Sequence, residues 1–164
     1  MPYTGRLVAE NDLREIVAAP AAGSTDISAR LIGQWLSERL SQPFVIDNRP
    51  GGNNNIGTLV AVRAPGDGYT LFLATCINAI NASLYERLSY DLIRDIAPVA
   101  RIAYTPLVVV VDPSVPAQTV PELIAYANSN PGKLNLASAG MGTPIHVAGE
   151  LFKMRTGIDM VQVQ

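Results

Sequence analysis

Ser24, Thr25 and Asp26 directly follow Gly23, and Ser138, Ala139, Gly140, Gly142, Thr143 and His146 crowd into one short stretch far along the chain. Neither group carries an arginine or lysine. Both combine small residues, hydroxyls and the start of a helical pattern. A helix N-terminus carries roughly half a positive charge and turns free N–H groups outward, so it holds an anion without a basic side chain. Two such ends in one chain can close on one anionic ligand. Gly with Ser or Thr is also ordinary cap chemistry between a strand and a helix, and the pairing of two units is what favours a site.

The single residues read more plainly. A carboxylate in a helix's first turn is stabilised by the dipole but repels an anion if turned inward, which favours a structural role for Asp26. Cys76, the one cysteine, has no histidine near it in sequence and reads as a small buried residue rather than a nucleophile. A Ser24/His146 pair lacks an orienting third group, so His146 reads as a hydrogen-bond donor lining the site. Trp35 falls on the apolar face of the first helix and reads as core.

The elements that must position these residues follow from pattern. Leu13 to Ala19 is a strand despite the charged Arg14–Glu15 pair, and Pro20 to Gly23 is a tight turn. Ile27, Leu31, Ile32, Trp35, Leu36 and Leu40 recur at helical spacing from about Thr25. Phe44 to Asp47 is a second strand, which makes a βαβ unit the expectation. Asn48 to Gly57, dense in Gly and Asn, is a loop into a small helix from about Ile56 to Arg63. It lacks the Gly-Lys-Ser/Thr ending of a phosphate-binding loop. Tyr69 to Thr75 reads as a strand buried on both faces, with Thr75 to Asn81 as small and polar residues at its exit. Leu84 to Asp95 reads as short helical turns. Ile96 to Tyr104 and Leu107 to Val111 read as two more strands. Thr119, Pro121 and Glu122 mark a capped helix from Val120 to Ser129. Leu134 to Ser138 is a strand, Thr143 to Thr156 a helix stopped by Gly157, and Met160 to Val163 a strand with open edges.

Composition excludes several classes. The 164 residues are 48% hydrophobic, enough for a core, and 16% charged with net charge −2, so nothing draws the chain to nucleic acid. The aliphatic run Leu107 to Val111 falls far short of the roughly 20 residues that span a bilayer. One cysteine and one histidine leave no Cys/His metal cluster, and no cofactor is called for. Residues 1–12 read as a loose lead-in without the pattern of an export signal.

Several motifs in order resemble one family: Pro20-Ala-Ala-Gly-Ser-Thr-Asp26, Asn48-Arg-Pro-Gly51, Asn55-Ile-Gly-Thr58, Asp67-Gly-Tyr-Thr70, Tyr90-Asp91 with Asp95 and Ala97-Pro98, and Ser138-Ala-Gly-Met-Gly-Thr-Pro-Ile-His146. They are similar to the Bug-type solute receptors of tripartite tricarboxylate transporters, from about residue 13 onward. The resemblance implies an α/β fold of the type II periplasmic binding protein kind, with two lobes and mainly parallel sheets. The first lobe with its lead-in is residues 1–100, and an incomplete second lobe is 101–164. It further implies a non-enzymatic receptor in the periplasm, a small carboxylate as ligand and membrane transporter subunits as partners. Ligand contacts are expected at Ala21, Ala22, Gly23, Ser24, Thr25 and Asp26, at Thr75 and Asn78, and at Ser138, Ala139, Gly142, Thr143 and His146.

The departures are specific. Ala18 and Ala19 stand where the family carries proline and an aromatic, and Ala22 where it carries a second glycine. Family members continue beyond Met160 to Val163, so a truncated receptor is expected. Its exposed sheet edges allow a homo-oligomer, and the alternatives are an α/β enzyme on an anionic substrate or a non-binding receptor remnant that oligomerises through those edges.

Overall fold

The computed structural model describes residues 12–163, and the chain divides into two compact units, Met1–Pro98 and Val99–Gln164. In the first, β1 (Leu13–Val17) runs into α1 (Ser24–Leu40), then β2 (Phe44–Asn48), α2 (Asn55–Val62), β3 (Thr70–Leu73), α3 (Cys76–Leu84) and the single turn α4 (Leu92–Asp95). The three strands form a parallel sheet in the order β2-β1-β3, with Leu13 opposite Phe44 and Val17 opposite both Asn48 and Leu73. β1 is therefore central, and Ile16 and Val17 are wholly buried. Arg14 does not disturb the strand, because its guanidinium pairs with Asp47 of β2, with Nε 2.9 Å from Oδ2.

α1 lies on the sheet through its small residues. Ala29 is wholly buried, and a Cβ at Gly33 would stand 3.1 Å from Ile46 Cδ1. Bulky strand residues face a helix row of small ones, so the large apolar row of α1 turns outward. Ile27, Leu31, Trp35 and Leu40 are all more than half exposed. This corrects the expectation that Trp35 is core: its ring instead carries the Arg39 guanidinium, 4.2 Å from the ring centroid. β3 is half-buried along its length rather than buried on both faces. α2 packs against β1 and β3 at Gly57.

In the second unit, α5 (Val120–Ser129), β4 (Asn135–Ala137), α6 (Pro144–Thr156) and β5 (Val161–Val163) follow, with β4 and β5 paired in parallel. Ala127, Ile158 and Met160 form its core, packed by Ile124, Leu134, Leu136 and Phe152. α5 begins as the spacing requires. Thr119 Oγ1 accepts from the Glu122 amide, and Glu122 reaches back to the Gln118 amide at 2.7 Å. α6 ends at Gly157, whose φ of +70° suits glycine.

The stretch read as two strands, 96–104 and 107–111, forms neither. Among the described residues nothing pairs with its backbone, and Val108 and Val110 stand about four-fifths exposed. An aliphatic run has the propensity for a strand, but a strand exists only where a neighbour completes the ladder. No helix among the described residues is long and apolar enough to cross a membrane.

At Gly57 two effects oppose each other. Alanine inside a helix is favoured over glycine by about 1 kcal/mol, but a Cβ there would meet Ala18 Cα at 2.7 Å and the Arg49 carbonyl oxygen at 2.8 Å. Both obstacles belong to backbone. Gly57→Ala is expected to lower stability by about 1–3 kcal/mol in urea unfolding, whereas Gly66→Ala, with open space around it, stays near neutral.

Candidate functional site

The parallel sheet places three chain exits at one edge. β1, β2 and β3 all end there, so Ala18 to Gly23, Asn48 and Thr75 leave the sheet side by side. Ligands of open α/β sheets bind at this edge. Ala22 takes φ +67°, a left-handed backbone that glycine adopts more readily, and Gly23 is the N-cap of α1.

No side chain caps α1 in the expected way, and neither Ser24 nor Thr25 bonds its first-turn amides. Asp26 closes the turn instead. It is 2% exposed, and its carboxylate accepts from the Ala22 amide at 2.8 Å, Arg30 Nε at 2.9 Å and Asn48 Nδ2 at 2.9 Å. Asn48 Nδ2 also donates to the Ala19 carbonyl. The Arg30 hydrogen bond, joined by those from Ala22 and Asn48, holds the Asp26 carboxyl below the usual carboxylate range against the opposing effect of burial. Ala22's N–H is thus committed inside the turn. The N–H groups of Ser24, Thr25 and Asp26 have no i−4 carbonyl within the helix. Ala21 and Ser24 are exposed beside them.

Thr75 and Asn78, expected as ligand contacts, stand at the start of α3. Residues 75 to 81 are not a loop: Thr75 is the N-cap of α3, and Asn78 is wholly buried within its first turn. Asn78 Oδ1 accepts from the Thr75 amide at 2.7 Å and its hydroxyl at 3.0 Å, while Nδ2 donates to Thr58 Oγ1 at 2.8 Å. Thr58 donates to the Asn54 carbonyl, and Asn54 Nδ2 donates to Thr75 Oγ1, which closes a ring. With its amide spent on this ring, Asn78 acts on the sheet edge through Thr75. The half-buried Thr75 stays at the edge, with its hydroxyl hydrogen turned inward.

Neighbouring residues extend the network. Asn53 Nδ2 donates to Asn81 Oδ1, Asn81 Nδ2 donates to the Asn53 carbonyl and Asn55 Oδ1, and the Tyr90 hydroxyl donates to Asn55 Oδ1. The Gly/Asn loop is therefore a clamp on α3. Cys76, expected to be buried, is exposed in the first turn of that helix.

The second unit repeats the design with different side chains. β4 ends at Ala137, Gly140 and Gly142 take positive φ, and Thr143 caps α6. Thr143 Oγ1 donates to the Gly140 carbonyl at 2.7 Å and accepts from the His146 amide at 3.3 Å. His146 Nδ1 accepts from the Gly142 amide at 3.3 Å, so a neutral ring carries its hydrogen on Nε2. Ser138 Oγ lies between Gln162 Nε2 and the Gly140 amide, at 2.7 and 3.4 Å. Ala139 is exposed. Among the described residues no cluster of His, Cys, Asp and Glu is placed to hold a metal ion.

Residues 28–164 match the model of the tripartite tricarboxylate transporter family receptor. The chain belongs to that family. It is 35% identical over 147 residues to the Bordetella pertussis protein BugT, covering 88% of this chain and 45% of BugT. A Rhodopseudomonas palustris protein solved with adipate superposes with a TM-score of 0.77 at 38% identity, over 93% of this chain and 51% of that one. MatC from the same organism, with bound malate, gives 0.72 at 26% identity over 93% and 52%. The chain spans less than half the length of the curated relatives it matches. Family members are periplasmic solute-binding receptors rather than enzymes, which removes the enzyme alternative.

Sequence reasoning missed Arg30, Asn48, Asn54, Thr58 and Asn81, which hold the starts of α1 and α3. The signal was present in Asn48 to Asn55, where asparagines stand too densely for a plain turn.

Asp26→Ala is expected to destabilise the chain by about 2–4 kcal/mol, since it removes a buried carboxylate that holds the Ala22 amide, an arginine and an asparagine. Because its folded carboxyl lies below its ordinary value of 3.8, the contribution is full above that value and is lost as pH falls through the folded one. Acid titration of Asp26→Asn should therefore lack part of the wild-type loss below about pH 4. Asn78→Ala, which opens the closed ring, should cost about 2–4 kcal/mol by denaturant unfolding.

Proposed function

We propose that this chain captures a small carboxylate at the first turn of α1, with the N–H groups of Ser24, Thr25 and Asp26 as donors. One observation carries the reading: the turn spends Ala22's amide on Asp26 and leaves the amides of Ser24, Thr25 and Asp26 without an intrahelical carbonyl. Asp26 does not defeat this, because its charge is met by Arg30 and two further donors. Relatives solved with adipate and malate give the ligand class.

In this reading the two units serve as the lobes, 1–100 and 101–164. At the α6 start, Pro144 has no N–H and the His146 amide is taken by Thr143 Oγ1, so the donors left are the Ile145 N–H and His146 Nε2–H, with Ser138, Ala139, Gly142 and Thr143 shaping the turn. Occupancy is passed to membrane transporter subunits, and the place of action is the periplasm. Backbone amides suit a carboxylate that must later be released, since each is weaker than an arginine fork.

A second reading, a receptor remnant that self-associates, is favoured by the exposed run Leu107–Val111. Thermal unfolding with adipate and with malate separates the two. Ligand at 100 times its dissociation constant adds about 2.7 kcal/mol, which is a rise of roughly 5–11 °C for a chain of this size. A rise with either acid supports capture. A transition that neither moves, in a chain that sediments as an oligomer, overturns it in favour of the remnant.

A further inference from the structure

Glu15 sits on the central strand β1 with 4% of its surface exposed, and Oε2 has no hydrogen-bond partner. α1 walls it in at Gly33, where a Cβ would stand 3.6 Å from Oε2. The strand neighbours opposite it are Ile46 of β2 and Leu71 of β3, both apolar. The charged groups nearby are committed elsewhere. Arg14 lies on the other face of the strand with Asp47, and α1 presents Asp26 and Arg30 as an ion pair nearer its start. Asp12 precedes the strand and is itself engaged. No cation reaches the Glu15 carboxyl among these elements.

We propose that Glu15 is a proton-linked latch in the first unit: carried neutral, it lets α1 close on β1, and on ionising it loosens α1 together with the Ala22–Asp26 turn that heads the same helix. An acid enclosed by aliphatic side chains without a partner holds its proton, because the charged form loses its water. Burial accordingly pushes the Glu15 carboxyl up from 4.5 to about 7. The penalty is absent below the ordinary value, grows as pH rises between the two, and is full above about 7. Release of the proton to solvent is the whole chemical step. The coupling is direct in sequence, since Gly33 at the wall and Asp26 in the turn lie on one face of one helix, two turns apart.

The test is thermal unfolding and hydrogen exchange of the whole chain, without ligand, at several pH values from 5.5 to 8.5. Wild type should lose roughly 5 °C more than Glu15→Gln across that range. Exchange of α1 amides, corrected for its intrinsic pH dependence, should rise about tenfold from pH 6 to pH 8 relative to α2 amides, and not in Glu15→Gln. Parallel melting profiles for the two proteins overturn the latch. So does equal loss of protection in α1 and α2, which is global unfolding. Should Glu15→Gln not fold, Glu15→Leu serves as the pH-insensitive control, and a wild-type profile flat to pH 8.5 overturns the proposal by itself.

Discussion

The carboxylate of Asp26 is the constraint on which the candidate site rests. It joins the turn after β1 through Ala22, the body of α1 through Arg30 and the end of β2 through Asn48. These elements come from separate parts of the chain, yet one buried group sets their spacing. A buried charge is tolerable only when its partners are complete. The requirement works in reverse as well: given the charge, the turn has one arrangement in which all donors are met. Ala22 accepts a left-handed backbone to supply its amide, although alanine is less suited to it than glycine.

α3 is held to the same sheet edge by neutral groups. Asn53 and Asn55 both engage Asn81 of α3, Asn54 engages Thr75 at its cap, and Thr58 completes the closed ring through Asn78. Every hydrogen bond in the ring has a defined direction, since the Thr58 proton goes to a carbonyl and fixes which way the Asn78 amide faces. Such a network is rigid when complete and costly when broken. It explains a glycine- and asparagine-rich loop without any phosphate, and it explains why α3 begins immediately after β3.

Much of this was legible from pattern. Strand, turn and helix around Gly23 follow from an apolar run, small residues and helical spacing, and the α/β class follows from the alternation of such units. Where the reading failed, the physical reason is packing rather than propensity. Ile27, Leu31 and Trp35 have the spacing of a buried face, but the sheet accepted the small face of Ala29 and Gly33 because its own side chains are large. Leu107 to Val111 has the composition of a strand and no partner among the described residues. Cys76 and Asn78 exchanged roles: the apolar-looking thiol is exposed at a helix start, and the amide expected at a surface is sealed beneath it. Hydrogen-bond partners tens of residues apart leave no periodic trace.

One device recurs at these helix starts, and the choice of residue in it sets what a ligand would meet. A side chain in the first turn reaches back to an amide at or just before the cap: Asp26 to Ala22, Asn78 to Thr75, Glu122 to Gln118 and His146 to Gly142. Each satisfies one donor at or just before the cap, and at α5 and α6 the cap threonine takes a first-turn amide as well. An acid in this place offsets part of the helix's positive end, so α5, whose Glu122 has no basic partner in its cap, makes a poor anion site. α1 carries an acid too, but Arg30 and Asn48 answer it, which restores the positive end. At α6, His146 achieves the same closure through Nδ1 without bringing a negative charge to the helix start. Whether a cap is acidic, charge-balanced or neutral thus rests on its partners rather than on the cap residue alone.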